Sequence, residues 1–364
     1  MKKLILIMSV IILAMIVVIL SIHLREADTD VTEKSTKVGV ILIGSRDDHS
    51  WNQSHYEGLE KTAKELNLNI TYKECVPANE VKAVIDEFAE EDCKIIIACS
   101  VEYGDYIVEA AEKYPEVFFF HATGTASSKN MSSYFGRMYQ MRYLTGVVAG
   151  LQTETNEIGY VATFPISEVN RGINAFTLGV RSVNPDATVY VRWTDSWTSD
   201  SATAKMTELL LSEHNIDVLT MHTDSLEPLR IADEHGIMSI GYNIDNSSLY
   251  PESFLTAAVW DWEKFYTSHI LKCLQGKFEG DNYWSGSETG IINIASLSAH
   301  AKEGISEAVE KKREQLNNGV YDVFYGPIYD NKGNLRIAEG ESMTDNAMLN
   351  EFDWYVEGVV TDEE

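Results

Sequence analysis

The sequence predicts an α/β protein built of two doubly wound lobes, and three observations carry that prediction. From Lys37 onward short apolar runs alternate with amphipathic segments, as in a parallel sheet covered by helices. The alternation begins afresh near Glu157 with no Pro-rich or low-complexity linker before it. The length, 364 residues, suits two domains with a core each.

In the first set, residues 38–43, 70–73, 94–99 and 117–121 read as strands, with helices at 80–90 and 103–113. In the second, IGYVAT, ATVYVRW, IDVLTM and IMSIGY are strands separated by helices at about 168–183, 202–213 and 226–235. After Ile240 come FLTAAVW, a helix at 262–274 and the apolar GIINIAS. A chain that returns to the first lobe and crosses back explains that order. The expected division is 37–136 with about 258–290 for lobe 1, and 137–257 with about 291–364 for lobe 2. PIYDNKGNLRI reads as a hairpin about residues 331–333, and DWYVEGVV as an edge segment.

Ahead of the lobes, Lys2 and Lys3 precede an unbroken apolar run at 4–22, long enough for a membrane helix. It lacks an A-x-A cleavage site and a lipidation cysteine. Residues 1–24 are therefore expected to be an uncleaved anchor in preference to a cleaved signal, and 25–36 a polar tether. Basic residues before the run and acidic ones after it set the body outside the cytoplasm. A net charge of -27 excludes nucleic acid and anionic lipid surfaces as partners of the body. Cys75, Cys93, Cys99 and Cys273 are too few for a disulfide scaffold, and no CxxC or Cys/His cluster marks a metal site.

Catalytic patterns are missing from the sequence. There is no GxSxG and no Walker or dinucleotide loop. His55, His121 and His222 are scattered and read as structural. Asp47 and Asp48 have no further carboxylates beside them, so they read as loop and cap residues rather than metal ligands. No cofactor is expected.

Aromatic residues at strand ends are the stronger signal. DDHSWNQSHYEGL follows the first strand and opens into a helix, the position at which open α/β sheets bind ligands. Trp51 there is either a ligand-gripping ring or a helix-start staple, with Asn52 beside it. Trp197 in WTDSWTSD follows a strand of the second lobe in the same way. Two rings on opposing lips can sandwich a flat heterocycle. Tyr103, Glu168, Thr223, Asp224 and Asp245 are polar candidates at strand ends for reading its edge. Asp224 is equally a helix N-cap.

At these residues the chain resembles the basic membrane protein family of ABC-transporter substrate-binding proteins, whose members include purine nucleoside receptors. The likeness rests on DDHSWNQSHYEGL, FFFHATGTASSKN, GRMYQMRYLTGVVAG, GYVATFPISEVNRGINAFTLGVRSVNP, WTDSWTSD, HTDS, GYNIDNS, YGPIYDNKGNLR and DWYVEGVV, in order over nearly the whole body. It implies a type I periplasmic-binding-protein fold with a multi-strand hinge, closing on a purine without covalent chemistry. By position, Trp51 and Trp197 match the family's ring-covering aromatics, and Phe164, Glu168 and Asp245 fall in cleft-lining segments.

Two departures bear on the ligand. The acidic residue that nucleoside receptors carry after the first strand has no match in IGSR, and their ribose-clamping lysine aligns with Trp260. A tryptophan cannot donate as an ammonium does, and its bulk would fill ribose space. The resemblance therefore implies a free purine base such as adenine, with a nucleoside as the alternative. It also implies a monomer delivering ligand to an ABC permease and its ATPases. A membrane-anchored ligand-sensing regulator is the rival from another class; a nucleoside hydrolase would need an aspartate-rich calcium cluster that the sequence lacks.

Overall fold

The computed structural model describes residues 35–319 and 322–361. The expected anchor and nearly all of the tether lie outside the described residues. Among those described, no helix is long and apolar enough to cross a membrane.

The chain begins with β1 (Thr36–Leu42), α1 (Trp51–Leu66), β2 (Leu68–Lys73), α2 (Val81–Glu90), β3 (Ile95–Cys99), α3 (Gly104–Lys113), β4 (Phe118–Ala122) and β5 (Met131–Gly136). It continues through α4 (Tyr139–Gln152), β6 (Glu157–Ala162), α5 (Ser167–Arg181), β7 (Thr188–Trp193), α6 (Asp200–Glu213), β8 (Val218–His222), α7 (Glu227–His235), β9 (Met238–Asn243) and β10 (Phe254–Trp260). Then come α8 (Trp262–Leu274), β11 (Asn282–Ser285), β12 (Ile292–Ile294), α9 (Ile305–Asn317), β13 (Ile328–Tyr329), β14 (Leu335–Ile337), α10 (Asp345–Asn350) and β15 (Val359–Val360).

One sheet runs β11-β5-β4-β3-β1-β2 and the other β12-β10-β9-β8-β6-β7-β15. Every pairing in them is parallel except β10 with β12. β3, IIIAC, is buried at every residue, as expected of a strand covered by helices on both faces. In each sheet the strand order reverses beside the first strand, at β1/β3 and at β6/β8, and such switch points are where crevices open.

The chain passes between the sheets after β5, after β10 and after β11. Three crossings make the hinge, and we call each sheet with its helices a lobe. Residues 258–260, expected in lobe 1, pair in the second sheet instead: Ala258 opposes Tyr242 and Val259 opposes Asn243. The crossing falls at Asp261 because β10 stays paired in the second sheet to its last residue, with β9 as far as Val259 and with β12 at Trp260.

Between β5 and β6, α4 packs against α5 at very short range. A Cβ on Gly146 would lie 2.0 Å from the Phe176 carbonyl oxygen, and one on Gly179 2.0 Å from that of Tyr143. Only glycine permits that approach. The hairpin β13–β14 turns through Gly333 at φ 81°, and β15 adds to the free edge of β7.

Candidate functional site

A cleft of about 370 Å³ opens between the carboxyl ends of the two sheets, a volume in the range of small-molecule sites. Lobe 1 contributes Ile43, Gly44, Trp51 and Asn52 after β1, Ser100, Val101 and Glu102 after β3, and Thr123 after β4. Lobe 2 contributes Phe164 and Glu168 after β6, Asp195 to Thr198 after β7, Asp224 after β8, and Tyr242 with Asn243 at the end of β9. Thr123, Asp195 and Asn243 adopt left-handed backbone, with φ of 62°, 52° and 71°. Non-glycine residues held this way concentrate at functional sites, where the surroundings offset the strain.

The loop before α1 is organised by Asp48. Its carboxylate accepts the backbone N–H groups of Ser50, Asn52 and Gln53, each at 2.9 Å. Asp48 is thus the anionic cap of this helix, as the sequence indicated. Asn52 donates from Nδ2 to Asp48 at 2.7 Å and accepts the Gly44 N–H on Oδ1 at 3.1 Å. It lines the cleft, but its amide is spent holding the loop closed.

Trp51 is fixed from behind. Its indole N–H donates to the Cys99 carbonyl at 2.9 Å, and Trp260 and Trp262 meet it edge to face at 6.0 and 5.6 Å. Both readings of Trp51 therefore apply: it lines the cleft and it packs the lobe. In lobe 2, Trp197 and Phe164 sit together with ring centroids 6.1 Å apart.

The electrostatics are one-sided. Glu102, Glu168, Asp195 and Asp224 line the cleft, and among the described residues no Lys, Arg or His does. Burial and the neighbouring Asp48 push the Asp224 carboxyl up to about 7. Burial also raises Glu168, against the opposing pull of Arg171 and Arg142. His222 lies behind Glu168, Nε2 to Oε1 4.0 Å. Burial and those two arginines hold its pKa well below the usual imidazole value, so it is neutral.

Of the residues expected at the site, Trp51, Asn52, Phe164, Glu168, Trp197 and Asp224 meet in the cleft. Tyr103, Thr223, Asp245 and Trp260 are not in the lining. Tyr103 is buried and donates its hydroxyl to the Val76 carbonyl at 2.6 Å. The Thr223 hydroxyl donates to the Trp197 carbonyl at 2.9 Å and so shapes the loop that presents that ring. Asp245 is exposed and accepts the Ser247 N–H in a local turn. Trp260 is 7 % exposed and lies behind Trp51, so its bulk does not fill ligand space; its indole N–H donates to Asn243 Oδ1 at 3.0 Å.

Ser100 to Glu102, Thr123, Asp195, Tyr242 and Asn243 were not among the expected residues. Each sits at or just past a strand's carboxyl end, and that rule applied to every strand finds them. His55 bonds Tyr266 at 2.7 Å and stacks on Trp262, and His121 bonds the Ser100 carbonyl at 2.9 Å. These are structural contacts.

Two parallel-sheet lobes joined by three crossings, with an aromatic, acid-lined cleft at their switch points, make a two-lobed fold suited to holding a small solute. In keeping with this, residues 35–322 match the Bmp family, described as ABC transporter substrate-binding protein PnrA-like. The chain belongs to that family. It is 34% identical over 88% of its length to a protein of Haloferax volcanii named as an ABC transporter glucose-binding protein, covering 79% of that protein. It is 32% identical over 90% of its length to a purine-binding protein of Brucella abortus, covering 93% of it. An ABC transporter solute-binding protein from Conexibacter woesei shares the fold, with a TM-score of 0.68 at 18% identity over 79% of this chain and 98% of that one. Members of the family are binding proteins rather than enzymes, and they work outside the cytoplasm with permease and ATPase partners.

Proposed function

We propose that the cleft captures a purine, as the free base in preference to the nucleoside, for import through an ABC permease. One observation carries this reading: aromatic rings from both lobes, Trp51 on one side and Trp197 with Phe164 on the other, line a cleft that holds four carboxylates and no cation. Flat heterocycles stack on such rings. Carboxylates accept N–H groups, in which amino-purines are rich, and they repel phosphate. Nucleotides are therefore poor ligands, and a base such as adenine is a good one.

Glu168 makes no hydrogen bond to the protein among those described and is the reader of the ligand edge in this reading. Trp260 supports base over nucleoside because no ammonium group is available to clamp a ribose. The relative in Brucella abortus is named for purine binding. The body acts as a monomer whose two lobes close on the ligand, held at the membrane by residues 4–22.

The name of the Haloferax volcanii relative favours a second reading, a sugar such as glucose, which also stacks on tryptophan and offers hydroxyls to carboxylates. Calorimetry of the purified protein against adenine, guanine, hypoxanthine, adenosine, adenosine monophosphate and glucose separates the two. Adenine or guanine binding tightest, with the monophosphate silent, is the expected result. Glucose binding tighter than every purine overturns the proposal.

A further inference from the structure

The two lobes also touch each other directly at the edge of the cleft. Ser50, just ahead of α1 in lobe 1, donates its hydroxyl to Asp224 Oδ1 in lobe 2 at 2.8 Å. Asn243, also in lobe 2, donates from Nδ2 to Ser50 Oγ at 2.8 Å and to Asp224 Oδ1 at 3.0 Å. The Trp51 backbone N–H faces the same carboxylate and favours its charged form. A short way along, Asn246 Nδ2 donates to the His49 carbonyl at 3.2 Å.

These bonds complete something that lobe 1 leaves unfinished. The first N–H groups of a helix have no partner within it. Asp48 takes those of Ser50, Asn52 and Gln53, and the Ser50 side chain caps none. The Trp51 N–H is left over, and the group that faces it is the Asp224 carboxylate of the opposite lobe. Ser50 and Asn243 are fully buried or nearly so, so parting the lobes would exchange each of these bonds for water.

We propose that Ser50, Asp224 and Asn243 form a closure latch, in which a carboxylate of lobe 2 completes the N-terminal cap of α1 and thereby positions Trp51 over the ligand. Ser50 is a positioning residue: it does not line the cleft, and it acts through α1. The latch assigns Asp224 to the lobes rather than to the ligand edge. It rests on the cleft's being the ligand site and not on the ligand's being a purine.

The test uses the full-length protein with Ser50→Ala and the conservative Ser50→Thr, which keeps the hydroxyl. Losing a hydrogen bond to a charged acceptor weakens a closed state by about tenfold. Ser50→Ala is expected to lower affinity by about that factor, through faster dissociation, and equally for every ligand of the panel that binds; Ser50→Thr restores it. Without ligand, Ser50→Ala is expected to expand the molecule in small-angle scattering and to speed hydrogen exchange at the Trp51 amide. Unchanged exchange and scattering overturn the latch, as does a Ser50→Ala effect confined to one ligand. If no panel ligand binds but exchange and scattering respond, the purine reading fails and the latch stands.

Discussion

Trp260 donates its indole N–H to Asn243 Oδ1 at 3.0 Å, and that bond decides which way the Asn243 amide faces. With the oxygen engaged, the NH₂ group must point toward Ser50 and Asp224, where it makes two further bonds. Trp260 thus serves the contact between the lobes from behind.

Trp260→Phe keeps an aromatic ring on Trp262, with which Trp260 stacks at 4.3 Å, but removes the donor. A neutral hydrogen bond contributes about 0.5–1.5 kcal/mol. Ligand affinity is expected to fall by about three- to tenfold, measured by calorimetry, with the circular dichroism spectrum unchanged.

The two tryptophans of the cleft should respond differently to truncation. Trp197 is half-buried on a loop, so Trp197→Ala is expected to lower affinity by about tenfold with little change in Tm. Trp51 also holds the Cys99 carbonyl and packs on Trp260 and Trp262. Trp51→Ala should therefore cost about 3–5 kcal/mol of stability as well, read from urea unfolding. Equal Tm values for the two variants would contradict this placement.

Binding should strengthen as the pH falls. The Asp224 carboxyl titrates at about 7 when buried beside Asp48 and in the ordinary carboxylate range when hydrated. The closed, folded form therefore binds the extra proton. Its advantage is fully present below the ordinary carboxylate range and is lost as the pH rises through 7. Affinity is expected to decline between about pH 4 and pH 7, and the decline should shrink in Asp224→Asn. A profile that rises with pH would refute the assignment.

Gly146→Ala should unsettle the α4–α5 contact, since the new methyl would sit 2.0 Å from a backbone oxygen that cannot swing aside. Overpacking of this kind costs about 1–3 kcal/mol or more. A drop in Tm with the ligand preference unchanged is the expected pairing, because neither helix face at this contact reaches the cleft.

Much of this was legible from periodicity. The runs at the centres of β1, β3, β6 and β8 are mostly apolar, since both faces of each strand are buried there. Trp51 and Trp197 could be found because strand ends in such sheets are where ligands sit. β5, MSSYFG, is not legible in the sequence: its serines are buried with bonds to Asp281 and to the Ala126 carbonyl, which sequence spacing does not reveal. The crossing after Trp260 likewise lies three residues beyond the point that the sequence suggests, because strand pairing rather than hydropathy fixes it.

The sequence by itself determined two α/β lobes, a family, and aromatic rings at the ends of two strands, because these follow from local pattern and linear motif. Only the tertiary structure decided what each polar side chain is bound to. Asn52 is tied to Asp48 and Gly44, Trp260 faces Asn243, and Ser50, Asp224 and Trp51 meet although more than 170 residues separate Ser50 from Asp224. Hydrogen bonds are short and directional, so their partners are chosen by how the lobes pack in space, and nothing in chain spacing encodes that choice.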